Sequence, residues 1–138
     1  MIWIKTTQHG FLKNPCFFVI IEGVDENKGE VIMWAVSGYS LKMVEGDFGI
    51  QLPITIEGTT LTAEDCIKIE IKDKRNGETV LVKDFTNIED NTFSLELTES
   101  ESELLSVGFY VYNLDWYQSG RFLGNIITGA TFKVVDKA

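Results

Sequence analysis

From residue 41 onward, apolar and polar positions alternate in short runs. Phe48, Ile50, Leu52, Ile54 and Ile56 alternate with Gly49, Gln51, Pro53, Thr55 and Glu57. This period of two predicts a long strand with one buried face, ended by Glu57-Gly58. Pro53 cannot donate to a ladder, so an edge position or a bulge is expected there. Thr62 and Asp65 have the spacing of a capping-type turn. Ile67, Ile69 and Ile71 against Lys68, Glu70 and Lys72 give the cleanest amphipathic strand. The run DKRNG then predicts a turn, with Asn76-Gly77 suited to positive φ, and residues 79–85 return as a strand. Phe93, Leu95 and Leu97 alternate again. Thr98 with Glu101 forms a capping box, predicting one helical turn that carries Leu104 and Leu105 back toward the core. Gly108 opens the next strand, with Tyr110, Tyr112 and Leu114 on one face and Phe109, Val111 and Asn113 on the other. After a turn at Ser119-Gly120, a last strand places Ala130, Phe132 and Val134 together. Short strands between turn signals, without any long helical period, predict an all-β antiparallel sandwich with one or two short helical turns.

Residues 1–40 differ in character and are read as an N-terminal extension or hairpin, with the sandwich domain over 41–138. The apolar runs 1–4 and 16–21 are separated by TQHGFLKNP, which reads as a loop. Residues 16–21 could pair with 31–36 around the polar turn DENKGE. A second reading concerns the gene. Lys28-Gly29-Glu30 can be encoded by a purine-rich pattern resembling a ribosome-binding site at a suitable distance from the codon for Met33. The biological start is then expected at Met33, an expectation overturned by residues before Met33 in protein made by the native host.

With 138 residues the chain has the size of one domain. The formal net charge of −9 disfavours nonspecific binding to nucleic acid or anionic membrane, which needs clustered Lys and Arg. Its acidic residues are dispersed, as on a solvated surface. Cys16 and Cys66 are the only cysteines, and neither belongs to a CxxC pair. A disulfide between them is one reading; two free thiols in an intracellular or assembly context is the other and the preferred one. No apolar run reaches membrane-spanning length, and no signal-peptide pattern opens the sequence.

Reaction chemistry finds little support. His9 is the single histidine, which leaves nucleophile–base pairs and metal sets without partners. Glu99, Glu101 and Glu103 fit a solvated helical turn better than a calcium loop. The isolated glycines Gly46, Gly58, Gly108 and Gly129 do not form a phosphate loop. No catalytic, cofactor or metal residue is therefore expected. The stretch with binding character is 116–122, WYQSGRF: Trp116, Tyr117, Arg121 and Phe122 have the composition of an interface hot spot at a hairpin end. Cross-strand packing that stabilises the hairpin is the competing explanation. Trp116 shares parity with Tyr112 and Leu114, so Tyr117 is the residue expected at the surface.

The residues LLSVGFY, 104–110, resemble the tyrosine corner of immunoglobulin-like folds, with Tyr110 as a fold residue. The immunoglobulin disulfide and its partner tryptophan have no counterparts. More widely, GDFGIQLPITIEG, DCIKIEIKD, LTESESELLSVGFYVYNLDW and the closing GATFKVV resemble, in order and spacing, the immunoglobulin-like modules of Gram-positive phages and prophages, and most of all the N-terminal domain of phage baseplate upper proteins. The resemblance covers roughly residues 44–135. It implies an immunoglobulin-like sandwich in a non-enzymatic structural or adaptor protein of a tail or baseplate. The implied partners are other phage structural proteins or a homo-oligomer, without nucleic acid or membrane. The implied place is the virion, or the host cytoplasm before assembly. Two readings from other classes stand beside it: a carbohydrate-binding module with Trp116 and Tyr117 as a stacking platform, and an acidic inhibitor that mimics nucleic acid. Neighbouring tail genes would favour the first reading. Glycan binding lost in Trp116→Ala would favour the second, and competition with DNA the third.

Overall fold

A computed structural model describes residues 2–9, 16–25, 34–37 and 39–136. The strands are β1 (Ile2–His9), β2 (Cys16–Asp25), β3 (Trp34–Ser37), β4 (Ser40–Val44), β5 (Leu52–Glu57), β6 (Asp65–Asp73), β7 (Thr79–Phe85), β8 (Thr92–Leu95), β9 (Gly108–Gln118) and β10 (Arg121–Val135). Among the described residues the one helical element is α1 (Glu99–Ser102). The architecture is an all-β sandwich. One layer runs β1-β2-β5-β8, and the other β7-β6-β9-β10-β4-β3. The end of β2 joins the two, because Val24 and Asp25 pair in parallel with Ala35 and Val36. β4 lies parallel to β10, with Leu41 opposite Phe132, while most other neighbours are antiparallel.

The alternation read from sequence decides which face is buried. In β6, Ile67, Ile69 and Ile71 point inward, and in β9, Tyr110, Tyr112, Leu114 and Trp116 do. Phe132 is fully buried, and three rings meet it edge-on. Trp34 lies at 5.9 Å, Tyr110 at 6.3 Å and Tyr112 at 6.4 Å between centroids. Each ring sends its polar atom to a loop carbonyl. Trp34 Nε1 donates to Ile50 O at 2.9 Å, Tyr110 Oη donates to Ser106 O at 2.9 Å, and Tyr112 Oη donates to Tyr39 O. Burial raises the Tyr112 phenol far above its ordinary pKa. The Tyr110 bond is the back-reaching contact of a tyrosine corner.

Several expectations need correction. The strand expected over 48–56 begins only at Leu52, because Gly46 and Gly49 take φ of +83° and +77° and turn the chain. Phe48 and Ile50, expected on the buried face, are exposed. Pro53 does not mark an edge: β5 lies between β2 and β8. The β2 ladder stops at Ile54, one residue short of Pro53, so the missing N–H is not called upon on that side. The hairpin expected between residues 16–21 and 31–36 is replaced by antiparallel pairing of β2 with β1 and β5. The loop read into TQHGFLKNP is strand as far as His9, whose backbone lies opposite Cys16. Of the adjacent Leu104 and Leu105, only Leu105 reaches the core, since one helical turn cannot aim both inward.

α1 carries the predicted capping box. Glu101 N donates to Thr98 Oγ1 at 3.2 Å, and Thr98 N donates to Glu101 Oε1 at 2.9 Å. Lys83 on β7 donates to the same Oε1 at 2.8 Å and also to Glu96 O. Lys83 thus ties the β7 edge of one layer to the chain leaving β8 in the other. Burial works to raise the Glu101 pKa, but the bonds from Lys83 and Thr98 outweigh it, so the net shift is downward from 4.5.

Two measurements test these contacts. Tyr110→Phe leaves Ser106 O without its donor and should cost about 1–3 kcal/mol, read as a lower urea midpoint; an unchanged midpoint would remove the corner's role. Glu101→Gln isolates the charge. A carboxyl with a depressed folded pKa stabilises above its unfolded value and loses that contribution as pH falls through the folded pKa. The variant should therefore be less stable by about 0.2–1 kcal/mol at pH 7. The gap should close as pH falls through 4.5, the ordinary value of this group, and below it.

Candidate functional site

The structure separates the residues singled out at the 116–122 hairpin. Ser119 and Gly120 have φ of +50° and +81°, giving a tight two-residue connection between β9 and β10. Trp116 faces inward and is only 8% exposed. Its Nε1 donates to Asp65 Oδ1 at 2.7 Å. Asp65 is itself 1% exposed and also accepts from Gln118 Nε2 at 3.3 Å, and from Thr62 N and Oγ1 at 2.7 and 3.1 Å. The Thr62–Asp65 spacing seen in sequence is thus a carboxyl clasp that starts β6 and seats a tryptophan. A ring held this way offers no face for stacking a sugar.

Tyr117 points outward and is half-buried. Its ring meets Phe122 edge-on at 5.4 Å, and the Lys68 ammonium sits 4.9 Å from its centroid. Phe122 remains 49% exposed, and Arg121 is exposed. Only Tyr117 and Phe122 of the four therefore make one surface feature, with Arg121 beside them at the turn. Cys66 lies opposite Tyr117 on β6 as a free thiol, its pKa raised by burial and then by Asp84. Cys16 has no described side chain. Tyr110 is a fold residue buried beneath the other end of β9.

That other end holds what the sequence did not single out. Gly108 lies opposite Val134, and Tyr110 opposite Asp73, whereas Gln118 lies opposite Asp65 at the far end of the same strand. At the Gly108 end an open groove of about 510 Å³ runs between the turn 73–75 and the segment 106–110. The groove's two walls are tied by Lys74 N donating to Phe109 O at 3.2 Å. Val107 and Phe109 stand open in it, Phe109 at 56% exposure. Phe48, Ile50 and Leu104 are exposed on loops at the same end, and Glu45 accepts from Val107 N at 3.1 Å. Thus five of the seven large apolar side chains exposed among the described residues lie at one end. Parity in β9 already turned Phe109 outward. The signal for Phe48 and Ile50 was the pair of glycines that breaks their alternation.

Basic groups gather beside the groove. Lys133 lies opposite Phe109, with its ammonium 5.2 Å from the ring centroid, and Lys42 lies opposite Lys133 on β4. Lys72 lies opposite Val111. In the turn, Arg75 N and Nη2 donate to Asp73 at 2.8 and 3.4 Å, and these bonds lower the Asp73 pKa. Chemically this is an apolar surface edged by charges of both signs, since Asp73 lines the groove, Glu45 holds Val107 N and Lys72 lies 3.8 Å from Glu70. Among the described residues no group of three His, Cys, Asp or Glu side chains is placed to hold a metal ion. No helix among them is long and apolar enough to cross a membrane.

Asp65→Ala tests whether the hairpin's tryptophan serves the fold. The substitution takes the buried acceptor from Trp116 Nε1 and releases the clasp on Thr62, and should cost about 1–3 kcal/mol, with a red shift in tryptophan emission. A melting temperature equal to that of the parent would show that the clasp is dispensable.

Comparison with protein-family models, with curated proteins and with solved structures gives no match to this chain.

Proposed function

We propose that this chain is a non-enzymatic structural or adaptor module of a phage or prophage particle, working through protein–protein contacts in a tail or baseplate. The observation that carries the contact role is the exposed apolar end formed by Phe48, Ile50, Leu104, Val107 and Phe109. Large apolar side chains gathered at one place and left in water mark a surface that a partner covers. The particle context rests on the order of sequence motifs that resemble phage baseplate modules, and the sandwich fold agrees with it. The core beneath the groove is closed by the Tyr110 corner, so the surface sits on a rigid support.

The test is co-sedimentation with particle proteins encoded beside this gene. The parent should bind at least one of them. Val107→Ser with Phe109→Ser should weaken that binding by more than about tenfold, or 1.4 kcal/mol, at an unchanged melting temperature. Binding by none of those proteins, or equal binding by the double variant, would overturn the proposal.

A further inference from the structure

The turn between β6 and β7 runs Asp73-Lys74-Arg75-Asn76-Gly77-Glu78, and residues 74–79 are exposed. Of the seven asparagines in the chain, only Asn76 precedes a glycine. Asn76 Oδ1 accepts from Glu78 N at 2.9 Å, so the carboxamide stays folded over the Gly77 peptide. Gly77 has φ of +73°, and no atom lies within 4 Å of the place a Cβ would take. Its nitrogen is therefore uncrowded beside the Asn76 amide carbon. The Glu78 N–H also donates to the oxygen on which negative charge develops when that carbon is attacked. One bond opposes the attack: Gly77 N donates to Asp73 O at 2.9 Å. The turn around it is exposed, so water satisfies the freed groups when it opens.

The other described asparagines lack this combination. Asn91 accepts from Leu61 N and donates to Ile56 O and Thr59 O, so its side chain is held on every side. Asn113 and Asn125 lie within β9 and β10, the first bonded to Gly129 N and the second to Asp115. Asn87 is exposed with φ of +51°, but the residue after it is Ile88, branched at Cβ and buried.

We propose that Asn76 is a site of spontaneous deamidation, and that its isoaspartate product loosens the groove wall formed by this turn. Gly77 N gives up its proton, and its lone pair attacks Asn76 Cγ to form a C–N bond. The Cγ–Nδ2 bond breaks, and Nδ2 leaves as ammonia with the proton that Gly77 N gave up. Water then opens the cyclic imide. Opening at Cγ yields aspartate. Opening at the main-chain carbonyl of Asn76 yields isoaspartate, in which the chain runs through the side chain. Water is the sole co-reactant, and nothing is oxidised or reduced. Both products add a carboxylate beside Arg75, but only isoaspartate lengthens the main chain. The turn is closed by Gly77 N on Asp73 O and by Asp73 N on Glu78 O, both at 2.9 Å. An extra backbone carbon between them disturbs both bonds and strains the Lys74 N to Phe109 O tie that joins the groove's two walls.

Peptide mapping by mass spectrometry of the intact chain, kept folded at mildly alkaline pH and sampled over days, reads the reaction. Asn76 should convert to a mixture of aspartate and isoaspartate, and at least about tenfold faster than Asn87. Conversion should speed up as pH rises, because Gly77 N attacks only after losing its proton. Asn76→Gln should stay unmodified at that position, with a melting temperature near that of the parent, since the site is exposed. The isoaspartate form, separated by ion exchange, should exchange its Lys74 amide hydrogen at least about tenfold faster than the parent. Asn76→Asp adds the charge without the extra backbone carbon and should exchange like the parent.

An Asn76 that stays intact in the folded chain overturns the proposal; conversion only after unfolding in urea would show that the fold protects it. Equal conversion at Asn87 also overturns it, because the turn then confers nothing. A Lys74 amide that exchanges alike in parent, isoaspartate form and Asn76→Asp overturns the effect on the groove. The chemistry does not depend on the contact role proposed above, which the binding of neighbouring particle proteins decides separately.

Discussion

Phe132 is the point around which the molecule is fixed. Its ring lies on β10, and Trp34, Tyr110 and Tyr112 from β3 and β9 stand edge-on against it. Edge-to-face pairs add about 0.5–1.5 kcal/mol each beyond the area they bury. The geometry matters more than the sum. Each surrounding ring is amphipathic, so its buried polar atom needs a partner. All three find a backbone carbonyl in a connecting segment: Ile50 after β4, Ser106 before β9, and Tyr39 before β4. Packing in the core thereby sets the course of three loops. The Phe48–Ile50 segment is held with its carbonyl inward and its side chains in water because Trp34 claims that oxygen.

The two ends of the sandwich are consequently unlike. At the Gln118 end, side chains satisfy one another: Asp65 gathers four donors, and Tyr117 is bracketed by Phe122 and Lys68. At the Gly108 end the backbone is fixed by the Tyr110 corner and by Lys74, while the side chains face outward without apolar cover. Rigid backbone beneath exposed apolar groups suits recognition, because little ordering entropy remains to be lost on contact.

Much of this was legible in the residues. β6, β7, β9 and the capping box at Thr98 follow from period two and from short-range polar spacing, which are local properties. The corner at Tyr110 follows from Gly108 and the leucines before it. What was not legible depended on partners distant in sequence. Pro53 looked like an edge because nothing nearby announced that β2 pairs only as far as Ile54. Trp116 looked like part of a binding surface until Asp65, fifty-one residues away, was found beneath it. Phe48 and Ile50 matched the parity of β5, and only the positive φ at Gly49 breaks the register. The groove was invisible for the same reason, since the turn 73–75 and the segment 106–110 meet only through the pairing of β6 with β9.

The parallel seam between β4 and β10 has a consequence for the birth of the chain. Leu41 and Met43 leave the ribosome early, yet their partners Phe132 and Val134 lie on β10, the last strand in sequence order among the described residues. About ninety residues separate them, and at roughly 5–20 residues per second that interval is on the order of 5–20 s. During that time β4 has only β3 as a neighbour within its layer, a four-residue strand. The sandwich cannot close until β10 has emerged, so the arrival of that strand, more than any local step, sets when the nascent chain stops presenting sticky strands to its surroundings.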